Sequence, residues 1–137
     1  MKILRSIRSL NPAIGGPIES VRQSSIALVR AGHSVEIVSL DAPTDPWVSH
    51  FPVKVHALGP GRGTYGYASR FTPWIKAHHA NYDAVIVQGI WQYHSFGVWR
   101  ALRGTATPYF VFPHGMLDPW FKRTYPLKHL KKWLYWP

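Results

Sequence analysis

The chain has 137 residues, of which 46% are hydrophobic and 16% are charged, and this balance excludes an intrinsically disordered protein. Its 16 basic residues outnumber its 6 acidic ones, which gives a formal net charge of +10. It contains no cysteine, so disulfide scaffolds, thiolate zinc sites and cysteine nucleophiles are excluded.

Residues 1–40 predict one strand–helix–strand unit. Lys2–Ile7 is a short β-rich run and is predicted as the first strand. Ile18–Ala31 carries a helical stripe of apolar residues, with Pro17 suited to the first helical position and Gly32 just beyond the last turn. Val35–Leu40 is then predicted as the second strand.

The rest of the chain continues this alternation. The further predicted elements are a loop over Ala42–Pro52, a strand over Val53–Leu58, a glycine-rich segment over Gly59–Gly66, a helix over Tyr67–Ala80, a strand over Ala84–Gln88, a helix over Ser95–Leu102, a strand over Tyr109–Phe112 and a basic, aromatic helix over Pro126–Pro137. Pro73 either kinks its helix or delays the start. The pattern predicts a three-layer, Rossmann-like α/β domain with a mostly parallel sheet of about five strands.

Ligands of such sheets bind beyond the carboxyl ends of the strands, so the loops at that edge are the candidate sites. The loop after the first strand ends in Gly15-Gly16-Pro17 at a helix start. Two glycines let the backbone approach a ligand, and the free N–H groups of the helix suit a diphosphate. A turn that only reverses the chain would look the same.

A second glycine pattern, at Gly61, Gly63 and Gly66, fits G-x-G-x-x-G, with Asp83 at about the expected distance for a dinucleotide site. That fingerprint belongs to the first strand–helix turn, however, and its acid follows the second strand. We therefore interpret the match as coincidental, and a dinucleotide-binding domain stays an alternative.

A third candidate is His114, which directly follows the fifth predicted strand. An imidazole at a strand tip can donate a hydrogen bond or move a proton near neutral pH. Asp118 could orient this imidazole or bind a ligand hydroxyl. The alternative is that the histidine and the acid only stabilise the loop.

Four segments together resemble the N-terminal domain of GT-B glycosyltransferases of the family-4 kind. They are Gly-Gly-Pro before the first helix, AGHSVEIVS at the second strand, YDAVIVQGIWQY at the fourth and PHGMLDPW after the fifth. The resemblance runs from Met1 to the last residue. It implies the acceptor-side half of a GT-B fold, in a family whose members commonly build bacterial extracellular or surface polysaccharides.

The resemblance also implies roles for the matching residues. Gly15 and Gly16 correspond to the loop beside the donor diphosphate and the acceptor, and His114 to the catalytic histidine that contacts the donor sugar. The residues that match the loop lining the acceptor cleft are Gln88, Gly89 and Trp91, and Asp118 is a further candidate there. Such enzymes are generally retaining, use a nucleotide sugar as substrate without a cofactor, and need no metal held by an Asp-x-Asp motif.

A complete enzyme of this kind has a second Rossmann-like half with an E-x-x-x-x-x-x-x-E motif, and Glu19 and Glu36 are too far apart to form it. We therefore expect residues 1–137 to be a truncated N-terminal half without its donor-binding domain. One helix N-terminus contributes at most ~2 kcal/mol toward an anion, whereas transfer requires ~8 kcal/mol or more. The chain alone is expected to bind an acceptor weakly and to transfer nothing.

The last residues are basic and aromatic, which is typical of a helix lying on an anionic bilayer. This fits a lipid-linked acceptor and a cytoplasmic protein that is peripheral on the inner face of the cell membrane. The alternative is packing of the leucines and tryptophans on a missing remainder. The membrane-contact candidates are Lys128, Lys131, Lys132, Trp133 and Trp136.

The charge and the aromatic content also allow a nucleic-acid-binding protein as an alternative class. Outside the tail, however, the basic residues are scattered, and no RNA-binding motif is present. The eight histidines have no coherent ligand spacing, so no metal site is predicted.

Overall fold

The computed structural model describes residues 1–128 and residue 130. This part of the chain contains the strands β1 (Lys2–Ile7), β2 (Ser34–Ser39), β3 (Lys54–Ala57), β4 (Ala84–Gln88) and β5 (Tyr109–Phe112). All of them are parallel, in the order β3-β2-β1-β4-β5. The predicted Rossmann-like class is confirmed, and the bounds of the first, fourth and fifth strands agree with the predicted ones.

The helices between and after these strands include α1 (Gly16–Arg30), α2 (Pro46–Ser49), α3 (Phe71–His78), α4 (Tyr93–Leu102) and α5 (Pro119–Thr124). The predicted helix around Pro73 starts late, so that the proline lies in the first turn, where its missing N–H is tolerated. The helix α4 begins slightly before its predicted start at Ser95.

The prediction of a loop over residues 42–52 is wrong in one respect, because α2 lies inside it. Pro46 opens this helix with a φ angle already suited to it, but four residues are too few to show a helical period in the sequence. The helix α5 is also missing from the predicted elements and begins at Pro119.

The helices cover the two faces of the sheet. On one face, α1 and α2 pack on an apolar cluster that includes Ile7, Ile18 and Ile37. On the other face, α3 and α4 pack on a larger cluster that includes Leu4 and Phe71. The strand β1 lies between β2 and β4. After β1 the chain passes to one face of the sheet, and after β4 it passes to the other face, so a crevice opens between the loops that follow these two strands at the carboxyl edge.

A buried arginine fixes α1 on the central strand. Arg5 of β1 is 7% exposed, and its Nη1 donates to the carbonyl of Val21 at 3.2 Å and to the hydroxyls of Ser24 and Ser25 at 2.6 and 3.0 Å. Burial lowers the pKa of Arg5. These hydrogen bonds hold the helix, and therefore the glycine loop at its start, against β1.

On the opposite face of the sheet from Arg5, Glu36 of β2 binds side chains from β1, from β3 and from the segment before β4. One of its oxygens accepts hydrogen bonds from the Tyr82 hydroxyl at 2.6 Å and from His56 at 2.7 Å, and Lys2 lies 3.6 Å from the other. Burial raises the pKa of this carboxyl, but the two hydrogen bonds and the charge of Lys2 outweigh it and hold the pKa below its ordinary value. Glu36 is therefore ionised at neutral pH.

The G-x-G-x-x-G segment does not form a dinucleotide site. Its glycines make a turn in which Gly66 lies against the guanidinium of Arg8, and α3 begins only at Phe71. The fingerprint requires glycines that open a helix directly after a strand, and here they do not.

Most of the predicted tail helix over Pro126–Pro137 lies outside the described residues, although residues 126–128 and 130 are helical. Lys128 is described, with its Nζ 4.8 Å from the centre of the Tyr125 ring. The other membrane-contact candidates, Lys131, Lys132, Trp133 and Trp136, lie outside the described residues. No helix of the described residues has both the length and the apolar character needed to cross a bilayer.

Replacing Glu36 by Gln is expected to lower the free energy of unfolding by about 1–3 kcal/mol at neutral pH, because it removes a charged acceptor. The contribution of Glu36 is present above the ordinary carboxyl pKa and is lost as the pH falls through the lower folded-state pKa. Urea unfolding followed by circular dichroism measures both effects. The matched control is Glu19→Gln on the surface of α1, and an equal loss in the two variants would contradict this account.

Candidate active site

The loops that carry the predicted site residues after β1, β4 and β5 all leave the carboxyl edge of the sheet. Gly15 and Gly16 follow β1, while Gln88 ends β4 and His114 follows β5. By strand alternation Gln88 lies on the same face of the sheet as Arg5, which contacts α1. The side chain of Gln88 therefore points toward the face of the sheet that α1 covers.

The glycine loop is built as a turn followed by a helix. A 3-10 turn at Pro12–Ile14 begins at Asn11, whose side chain accepts from the N–H of Ala13 at 3.0 Å. Gly15 then adopts φ 93° and ψ −133°, a conformation that other residues rarely reach. At Gly16 a Cβ would meet nothing within 4 Å, so the space beside the loop is open.

A pocket of about 380 Å³ lies beside Gly15, and its other walls include Trp47, Phe51, Glu19 and Arg22. The rings present apolar faces, whereas Glu19 and Arg22 form an exposed ion pair at 3.6 Å. Because Glu19 lies in the first turn of α1, its negative charge opposes the attraction of the helix end for an anion. The pocket therefore suits an uncharged ligand with one apolar face better than it suits a diphosphate.

Asp41, which sequence reasoning missed as a site residue, holds this pocket together. It is buried after β2 and accepts hydrogen bonds from Ser9 at 2.5 Å, from the N–H of Leu10 at 3.0 Å and from the indole of Trp47 at 3.0 Å. The loop after β1 and the ring of Trp47 are thus fixed to one carboxylate. The only signal in the sequence is an acid directly after a buried strand.

His114 is exposed and has a positive φ of 50°, an uncommon conformation that tends to occur at functional sites. Its Nε2–H donates to the side-chain oxygen of Gln88 at 2.5 Å. In that tautomer Nδ1 carries the lone pair and can accept a hydrogen bond from a ligand hydroxyl. The imidazole is thus fixed on one side and open for chemistry on the other.

A second, buried histidine forms a hydrogen bond with the backbone of Gln88. His94, in the first turn of α4, is 1% exposed, and its Nε2 donates to the backbone carbonyl of Gln88 at 2.6 Å. Burial, aided by the positive charge of Arg8, lowers its pKa to about 4, although the hydrogen bond to Gln88 opposes the shift. The Nδ1 of His94 and the Nε2 of Gln88 are buried without a partner among the described residues. Sequence reasoning missed His94, since nothing in its local sequence marks burial.

The loops after β4 and β5 pack on each other. Gly89 donates its N–H to the carbonyl of Phe112 at 2.8 Å, and a Cβ on Gly89, where φ is +90°, would lie 3.1 Å from Met116. The indole of Trp91 donates to the carbonyl of Met116 at 3.4 Å. Trp91 also lines a pocket of about 220 Å³, and another of its walls is Pro113, the residue directly before His114.

Asp118 has a different role from the orienting one considered from the sequence. Its carboxylate accepts from the N–H of Trp120 at 2.8 Å, in the first turn of α5, while the imidazole of His114 is held by Gln88. No hydrogen bond joins Gly15 or Gly16 to His114 in the part of the chain that the structure describes. Within the same residues, no group of three potential metal ligands occurs.

This topology defines a doubly wound α/β domain, a class whose ligands bind at the carboxyl edge. Residues 15–137 match the glycosyl transferase 4-like domain family, and the chain therefore belongs to this family. The resemblance to a family-4-like GT-B glycosyltransferase is confirmed, and with it binding of a sugar donor and an acceptor in general terms. No curated protein matches the chain at a significant level.

Replacing His94 by Gln is expected to flatten the pH dependence of stability. Unfolding restores the ordinary pKa of 6.5, so His94 makes the native chain lose stability as the pH falls from there toward about 4. This loss of stability amounts to ~3 kcal/mol at most. A glutamine at position 94 cannot titrate, but its amide can still donate a hydrogen bond to the Gln88 carbonyl. Urea unfolding across this pH range measures it, and parallel curves for the two proteins would contradict the buried, neutral imidazole.

Proposed function

We propose that the chain is the acceptor-side domain of a retaining, metal-independent glycosyltransferase. The complete enzyme would transfer a sugar from a nucleotide-sugar donor to a saccharide or lipid-linked acceptor in surface or exopolysaccharide biosynthesis. The observation that carries the proposal is the family match together with an exposed imidazole, His114, at the carboxyl edge that also carries the glycine loop.

The acceptor sugar is proposed to bind in the pocket beside Gly15. Sugar rings have an apolar face of C–H groups and a rim of hydroxyls, and the pocket offers aromatic faces at Trp47 and Phe51 and polar groups at Glu19 and Arg22. The hydrogen bond from the indole to Asp41 keeps one ring in position before a ligand arrives. The donor diphosphate is then bound by groups outside this pocket.

His114 is proposed to contact the donor sugar. With Nε2–H directed to Gln88, Nδ1 is an acceptor that can orient a sugar hydroxyl at the reacting centre. Because His94 stays neutral near pH 7, the support beneath Gln88 keeps the same hydrogen bonds across the physiological range. Gln88, Gly89 and Trp91 would form the wall between the two substrates.

A second, donor-binding half is part of this proposal. The leaving diphosphate must be neutralised, and the end of α1 contributes at most ~2 kcal/mol to an anion while Glu19 opposes it. The chain by itself is thus expected to bind an acceptor and not to turn over a nucleotide sugar. A cytoplasmic location, peripheral on the membrane through the basic tail, fits a lipid-linked acceptor.

Saturation-transfer NMR tests the proposal on the chain itself. A panel of bacterial oligosaccharides and a panel of nucleotide sugars are each mixed with the protein, and product formation is followed in the same samples. The expected result is weak binding of at least one oligosaccharide and no transfer. Turnover by the chain alone would contradict the division into two halves, and no saccharide binding at all would contradict the acceptor-side role.

The glycine loop gives a graded prediction in the same binding assay. Gly16 precedes Pro17, so any side chain there disturbs the backbone, and Gly16→Ala measures that effect alone. Gly16→Leu adds bulk to the open space beside the pocket and is expected to weaken saccharide binding about tenfold or more relative to Gly16→Ala. Equal affinities of the two variants would show that the ligand does not approach the loop.

A further inference from the structure

A separate pocket of about 350 Å³ lies at the carboxyl edge beyond β3. Its walls are residues 58–60, Arg62 and residues 67–70, none of which lines the pocket beside Gly15. No acidic residue lines it, and its charged groups are the guanidiniums of Arg62 and Arg70. The pocket is therefore positively charged.

Hydrogen bonds to the backbone of the pocket wall hold both arginines, and each guanidinium has further N–H donors without a partner among the described residues. Arg70 uses Nη2 to donate to the carbonyl of Gly59 at 3.0 Å, which holds the side chain at the rim. The backbone of Arg62 is fixed by its N–H, which donates to the carbonyl of Tyr67 at 2.8 Å. Among the described residues the Arg62 guanidinium has no hydrogen-bond or ion-pair partner, and the exposed hydroxyl of Ser69 lies in the same wall.

The chemistry of two guanidiniums selects the ligand. Each presents several N–H donors in a planar fork, which matches the oxygens of a phosphate and is more specific than a single point charge. The partly exposed ring of Tyr67 offers an apolar face at the edge of the same pocket. A phosphate attached to a sugar or to a hydrocarbon chain would use both features.

The pocket is connected with the candidate active site through packed side chains. The ring of Tyr67 lies 4.9 Å from that of Tyr93, the first residue of α4. The next residue, His94, supports the backbone of Gln88, and the side chain of Gln88 holds His114. A group bound by the arginines would thus lie along the same edge as the imidazole.

We propose that this pocket binds a phosphate or diphosphate group carried by the acceptor, with Arg62 and Arg70 as its ligands. The inference rests on the proposed function, which it narrows from any saccharide to a phosphate-bearing acceptor. A lipid-linked sugar diphosphate and a free sugar phosphate share this chemistry.

The test is isothermal titration calorimetry of the full chain at low ionic strength. Inorganic pyrophosphate is the basic probe, and geranyl diphosphate and a sugar 1-phosphate distinguish the two sources. Arg62→Gln and Arg70→Gln are each expected to weaken binding about tenfold, since each removes charge-assisted hydrogen bonds. Arg30→Gln, an exposed arginine in the last turn of α1, is the matched control for net charge and is expected to leave the affinity within about twofold.

The outcomes are distinct. Tighter binding of geranyl diphosphate than of pyrophosphate, with the same dependence on Arg62 and Arg70, supports a lipid-linked acceptor, and preference for the sugar phosphate supports a soluble one. No binding of any probe, or an equal loss in Arg30→Gln, overturns the site. Tighter binding of single-stranded DNA through the same arginines overturns it in favour of a nucleic acid. Saccharide binding beside Gly15 is measured separately, so failure here leaves the proposed function standing.

Discussion

The central position of β1 determines where chemistry can occur in this domain. Parallel pairing with β2 on one side and β4 on the other sends the chain toward opposite faces after β1 and after β4. The backbone between these two exits cannot close over the carboxyl edge, so ligand groups can reach it. Arg5 stabilises the arrangement by holding α1 against β1 from within.

At this edge, burial gives two histidines different roles. His94 is enclosed and neutral, and it supports the backbone of Gln88, whereas His114 is exposed and receives its orientation from the side chain of the same residue. The buried donor and acceptor that remain unpaired at Gln88 and His94 are unfavourable, and such unpaired groups are uncommon in folded proteins. In the loop after β5, the positive φ of His114 is an uncommon backbone conformation.

The strand β4 was predictable because its residues are apolar on both faces, as expected of a parallel strand that is covered by helices on both sides. The positions of Gly15 and His114 at the carboxyl edge were also predictable, since the edge follows from the strands. The partners of the side chains were not predictable. The partner of His114 is Gln88 and not Asp118, and the partner of the Trp47 indole is Asp41. Both contacts depend on strand register and on loop packing, which no local sequence pattern contains. Short α2 was missed because a single turn leaves no periodic signal.

The central claim is that the acceptor bound beside the loop after β1 also contacts the loop after β4, which forms the wall between the two substrates. Amide chemical-shift mapping of the isotopically labelled chain, titrated with an oligosaccharide that it binds, tests this most directly. The account predicts that the amides of Gly16 and Trp47 shift together with those of Gly89 and Trp91, with a single dissociation constant. Shifts confined to one side of the crevice, or two different dissociation constants for the two sides, would contradict it.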